Sequence, residues 1–136
     1  MATTNLDALS LAGALSVTGA LSVGGSTVTT TPLVFQTQAM TADGAITIKN
    51  GVVTLDKAGV LAATLANPTA TTDDYKRLTI LALQAQANTV TVTGGFGNGS
   101  TGEDVATFSG AIGDNLNLMA YQGYWYITGV HQITVA

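Results

Sequence analysis

The stretch "AITIKNGVVTLDKAG", residues 45–59, places Asn50-Gly51 between two short runs in which apolar and polar side chains alternate. A period of two is the mark of a strand with one face buried, because successive side chains point to opposite sides of extended chain. Asn-Gly is the pair that most readily takes the two positive-φ positions of a tight turn. The stretch therefore reads as an antiparallel hairpin, and the remaining sequence can be tested against that unit.

Working outward, short strands are expected near 33–37, 45–49, 52–56, 61–65, 77–83, 89–93, 104–108, 115–121, 124–130 and 132–135. Gln122-Gly123 separates "NLNLMAY" from "YWYITGV" as Asn50-Gly51 separates the first pair, and Asp43-Gly44 and Ala58-Gly59 mark further turns. Pro68 opens a polar stretch, "PTATTDDYK", and residues 94–102 form a glycine-rich loop. No segment carries a convincing helical pattern. Strands at this spacing predict an all-β domain over 33–136, an antiparallel β-sandwich or barrel-like (jelly-roll-like) body.

Residues 1–32 differ in kind. "LSLAGALSVTGALSVGGS", residues 9–26, is a six-residue unit written three times. On a helix, successive units would point 240° apart and smear any apolar stripe. On extended chain, six is a multiple of two, so Leu9, Leu11, Leu15, Val17, Leu21 and Val23 share one face. Burying these side chains in one chain does not offset the cost of ordering the backbone that carries them. Three chains around one axis, each supplying a third of a triangular shaft, are the arrangement that closes the gap. The arm is thus expected to be a short extended β-stalk with hexad repeats that forms a homotrimer. A flexible Ala/Gly/Ser arm is the alternative, but it gives no reason for Leu and Val to keep phase over three cycles.

Only 9% of the 136 residues are charged, well below the roughly 25% of an average soluble chain, which favours surface hidden in an oligomer. The net charge of −4, with Lys49, Lys57, Lys76 and Arg77 as the only basic side chains, argues against a nucleic-acid partner. With no cysteine and a single histidine, a zinc or copper site is not expected. No apolar run approaches the roughly 20 residues of a membrane helix, and no secretory leader is evident, so neither a membrane partner nor export is expected.

Catalytic chemistry finds little to build on. His131 lacks a strained nucleophile turn to serve and reads as an ordinary strand residue. Residues 97–102 match G-x-G-x-x-G, but no helix follows to meet a pyrophosphate. Glu103-Asp104 and Asp73-Asp74 read as solvated turn acids rather than a calcium or glycosidase pair. The one aromatic cluster is Tyr121, Tyr124, Trp125 and Tyr126. Alternation sets Tyr124 and Tyr126 on one face and Trp125 on the other, with Trp125 expected in the core and Tyr121, Tyr124 and Tyr126 available to stack on glycan. No catalytic residue, cofactor or metal is assigned.

"AITIKNGVVTLDKAG", "LANPTATTDDYKRLTIL" and "DVATFSGAIGDNLNLMAYQGYWYITG", with the LSVTG-like leader, resemble small structural proteins of tailed bacteriophages and prophages. The resemblance covers nearly the whole chain. It implies a non-enzymatic, homotrimeric capsid decoration (cement) or head-fibre protein on the capsid exterior, made in the host bacterial cytoplasm. Its partner would be the phage major capsid protein, at lattice threefold positions. The alternative it implies is a tail-fibre or receptor-binding tip that recognises host surface glycan. Replacing Leu15 and Val17 together by Asp is expected to disorder the stalk, because the axis cannot bury unpaired charge. Limited proteolysis before residue 33 checks this: cleavage should accelerate in the double variant.

Overall fold

The computed structural model describes residues 35–97 and 103–136. The hexad residues Leu9, Leu11, Leu15, Val17, Leu21 and Val23, and with them the expected stalk, lie outside the described residues. The described chain forms ten strands: β1 (Gln36–Met40), β2 (Gly44–Ile46), β3 (Gly51–Leu55), β4 (Ala62–Leu65), β5 (Arg77–Ala82), β6 (Thr89–Val92), β7 (Val105–Phe108), β8 (Asn115–Tyr121), β9 (Tyr124–His131) and β10 (Ile133–Val135). Each matches an expected strand. The largest offset is at β1, which begins later than the expected 33–37, because Met40 enters the core while Phe35 stays 57% exposed.

The strands make two sheets, ordered β1-β3-β5-β8-β9 and β10-β7-β6-β4-β2. β1, β3 and β5 run parallel, as do β2, β4 and β6. β7, β8, β9 and β10 join antiparallel. The all-antiparallel expectation is therefore corrected to two mixed sheets. Odd strands enter one sheet and even strands the other through β6, so the chain winds around the core instead of folding back on itself. Only β6–β7 and β8–β9 are consecutive strands that stay in one sheet.

This overturns the Asn50-Gly51 hairpin. β2 pairs with β4 in one sheet, β3 pairs with β1 and β5 in the other, and residues 47–50 carry the chain between them. Gly51 serves a close approach rather than a tight turn. Its φ is +131°, and a Cβ there would fall 1.9 Å from the Gln36 carbonyl oxygen of the neighbouring parallel strand. Asn50 Oδ1 accepts the Arg77 N–H at 3.3 Å and so ties the crossing to β5. Gln122-Gly123, in contrast, does form the expected two-residue hairpin. Its φ angles are 49° and 82°, and Tyr121 pairs with Tyr124 across it.

Between the sheets lies one apolar core. Val53, Leu55, Leu78, Ile80, Leu116, Leu118 and Trp125 point inward from the first sheet, and Leu65, Val90, Val92 and Phe108 from the second. Trp125 is fully buried, as its alternation predicted, and its Nε1–H donates to the Ala66 carbonyl at 3.0 Å. Each passage between sheets leaves backbone groups off the ladder, and side chains take them up. Gln38 Oε1 accepts the Thr47 N–H at 2.8 Å while its Nε2 donates to the Ala45 carbonyl at 3.1 Å. Buried Asn88 accepts the Leu61 N–H at 2.9 Å. Asp114, fully buried, accepts from Ser109 Oγ and from the Gly110 and Ala111 N–H groups. Burial acts to raise its pKa, but these hydrogen bonds outweigh it and hold the carboxyl below its ordinary value.

Gly51→Ala is expected to destabilise the fold by about 2 kcal/mol or more, since it combines a positive φ with a collision against backbone. Urea denaturation measures the loss, and unchanged stability would show that β1 does not rely on this approach.

Candidate functional site

The hairpin at Gln122-Gly123 and the loop before β5 meet at the end of the first sheet and display four tyrosines. On β8 and β9 the core side chains are Leu116, Leu118, Ala120 and Trp125, so Met119, Tyr121, Tyr124 and Tyr126 fall on the outer face. Tyr75 joins them from the preceding loop. Its ring centroid lies 5.6 Å from that of Tyr121 at a 44° tilt, and Tyr121 lies 6.3 Å from Tyr126 at 58°. Tyr75 is 69% exposed, Tyr124 47% and Tyr121 39%. The structure thus brings together all three tyrosines singled out from sequence and adds a fourth. Tyr75 was missed because "PTATTDDYK" has no alternation from which a facing could be read.

The platform is held from three sides. Tyr75 sits at φ +67°, a left-handed conformation that costs an ordinary residue roughly 1–2 kcal/mol. Its N–H donates to the Ala120 carbonyl at 2.7 Å, and the Ala120 N–H donates to the Lys76 carbonyl at 2.9 Å, locking the kink against β8. The hairpin is tied to the same loop, because the Gln122 N–H and Nε2 donate to the Asp74 carboxylate at 2.8 and 3.2 Å. On the third side, the Gly97 N–H donates to the Trp125 carbonyl, and a Cβ at Gly97 would stand 2.7 Å from the Tyr126 ring.

Asp73 anchors the loop, and here the expectation of a solvated turn acid is corrected. It is 4% exposed and receives Lys49 Nζ and Lys76 Nζ at 2.6 Å each, together with the Thr69 N–H at 2.7 Å. Lys49, then Lys76 and the Thr69 N–H, hold its carboxyl well below the usual carboxylate range. Lys57 pairs with Asp43 at 2.8 Å. The ion pairs among the described residues therefore use all three lysines and leave the exposed Arg77 guanidinium without a carboxylate. Arg77 lies on the same outer face: it is cross-strand from Met119, which is cross-strand from Tyr126.

The other sequence candidates do not converge on this site as chemistry. His131 is an exposed residue at the end of β9, as expected. Glu103 and Asp104 lead into β7, where the Glu103 carbonyl accepts the Phe96 N–H and the Asp104 N–H donates to the Ala136 carbonyl. Of the glycine loop, residues 98–102 lie outside the described residues.

A second surface is the outer face of the other sheet. Thr134, Thr107, Thr89 and Ala62 stand side by side across four strands, with Thr91, Thr64 and Ala45 in the neighbouring row. These rows contain no charged side chain and nothing larger than a β-branched residue. No family model matches the chain, and no curated protein matches it.

The Asp73 cluster has a pH signature. A carboxyl whose folded pKa is depressed contributes stability above its unfolded pKa of about 3.9 and loses it as pH falls through the folded value. The melting temperature should accordingly fall as pH drops below about 4. Asp73→Asn should lower it by about 5 °C at neutral pH and flatten the acid limb, as followed by calorimetry.

Proposed function

We propose that this chain is a structural protein of a tailed-phage virion, a homotrimeric capsid decoration or head-fibre protein that binds and stabilises the capsid lattice. Residues 1–32 would form the three-chain stalk or virion attachment, and 33–136 the trimerising β-body. The resemblance of "DVATFSGAIGDNLNLMAYQGYWYITG" and the LSVTG-like leader to phage structural proteins supports the class. The observation that carries self-association is the uncharged threonine and alanine face of the second sheet. Three such faces turned toward a common axis can be covered without stripping water from an ion, and their small side chains let sheets approach closely. The hexad period of the leader independently supports three chains: as extended chain it would set six apolar side chains on one face, which three copies could cover around a common axis. Glycan recognition, the other reading of the sequence, finds its support in the tyrosine platform and is taken up below.

Light scattering at micromolar concentration should give three times the 13.7 kDa chain mass. Thr91→Glu with Thr107→Glu should dissociate the body while leaving its circular dichroism intact, since both side chains stand on the outer face. Purified expanded capsids should bind the wild-type protein and melt at a higher temperature. A monomer that binds no capsid would overturn the proposal.

A further inference from the structure

The tyrosine platform is more exposed than packing requires and more tightly held than a loose surface loop. An aromatic residue in the left-handed region is a backbone outlier, and such strain persists where surrounding contacts enforce it. At Tyr75 the enforcing contacts are the Ala120 hydrogen bonds and the buried Asp73 cluster two residues away. Their effect is to present a ring that is 69% exposed beside Tyr121 and Tyr126. None of these rings completes the core, which Trp125 already closes from the opposite face of β9.

Three ligand chemistries stack on aromatic faces, and the surroundings discriminate among them. Single-stranded nucleic acid needs a basic groove that tracks phosphates, yet the three lysines are all engaged. A protein partner is anchored by aromatic side chains in desolvated pockets, whereas these rings stand on an open face. The carbon-bound hydrogens of a sugar ring carry slight positive charge and meet the negative face of an aromatic ring, while the phenol tips remain free for hydroxyl groups. The loop does not oppose a negative ligand on balance, because Lys49 and Lys76, both held on Asp73, offset the charges of Asp73 and Asp74 together. Arg77 stands two strands from Tyr126, about 10 Å away, with a fork of donors suited to a carboxylate.

We propose that Tyr75, Tyr121 and Tyr126, with Arg77, form a binding site for an acidic polysaccharide, in which sugar rings stack on the tyrosine steps and a uronate carboxylate pairs with Arg77. The site is non-catalytic and does not depend on where the protein sits in a particle.

The test is isothermal titration of the full chain with tetragalacturonate and with its fully methyl-esterified form, which keeps the sugar rings and removes the charge. The acid form should bind, and the ester should bind at least about fivefold more weakly. Tyr121→Ala should weaken the acid form about tenfold or more, and Arg77→Ala should bring it down to the level of the ester. Arg77→Lys should restore part of the loss. Tyr75→Asn separates binding from structure: Asn tolerates the left-handed backbone, so this variant should melt no lower than wild type and still lose binding. Absence of binding at millimolar tetragalacturonate, equal binding of acid and ester, or variants that bind like wild type would overturn the proposal. So would tighter binding of oligo-deoxythymidine than of the saccharide.

Discussion

The structure depends on satisfying the backbone where the chain leaves one sheet for the other. A meander keeps its hydrogen bonds on the ladder and breaks them only at tight turns. This chain changes sheets after most of its strands, and each change strands amides and carbonyls that burial would make costly. Gln38, Asn88, Asp114 and Asp73 act as substitutes for the missing strand neighbour, each accepting one or more main-chain N–H groups. The side chains that do this are amides and carboxylates because a single oxygen can accept from two donors. With them in place the winding is closed, and the apolar side chains of both sheets can meet.

The same device shapes the surface. Asp73 fixes the loop of residues 69–76 from beneath, and Asp74, one residue later, holds the β8–β9 hairpin from outside. Consecutive acids thus bind two elements into one platform, with Tyr75 forced outward between them and β8. The strain at Tyr75 is small beside the network that enforces it, so the loop can be both strained and well defined. At the opposite face of the molecule no such network is needed. Threonines in register across β4, β6, β7 and β10 present a plain, uncharged surface, which supports the proposed self-association.

Strand positions were legible in the sequence, because alternation of the type seen in Thr89–Val92 and Asn115–Tyr121 reports which residues face a core. The buried placement of Trp125 and the Gln122-Gly123 hairpin followed from the same local signals. Sheet membership did not. A period of two fixes the face of a strand but not its neighbour, so a winding chain and a meander write the same pattern. Asn50-Gly51 misled for a related reason. The glycine is required by Gln36, whose backbone approaches from β1, and a long-range contact leaves no mark beside the residue it constrains. Tyr75 and buried Asp73 were illegible likewise: Tyr75 is placed by Ala120 of β8, and Asp73 takes Lys49, 24 residues away, besides the nearby Lys76 and Thr69.

Facing without a partner distinguishes the outer side of the second sheet from the core. In the described body, inward faces find partners across the sandwich, and the outward threonine face has no strand or loop laid over it among the described residues. Its rows carry no charged side chain, so covering that face removes little hydrated charge from water. A chain with 9% charged residues keeps its ions where they hold loops, at Asp73 and Asp43, and leaves its broad faces neutral. Arg77 is the exception: it is a cation on an outer face, beside exposed aromatic rings, with no internal duty for its guanidinium among the ion pairs. That departure from the molecule's own economy of charge is what separates a binding surface from a packing surface in this fold.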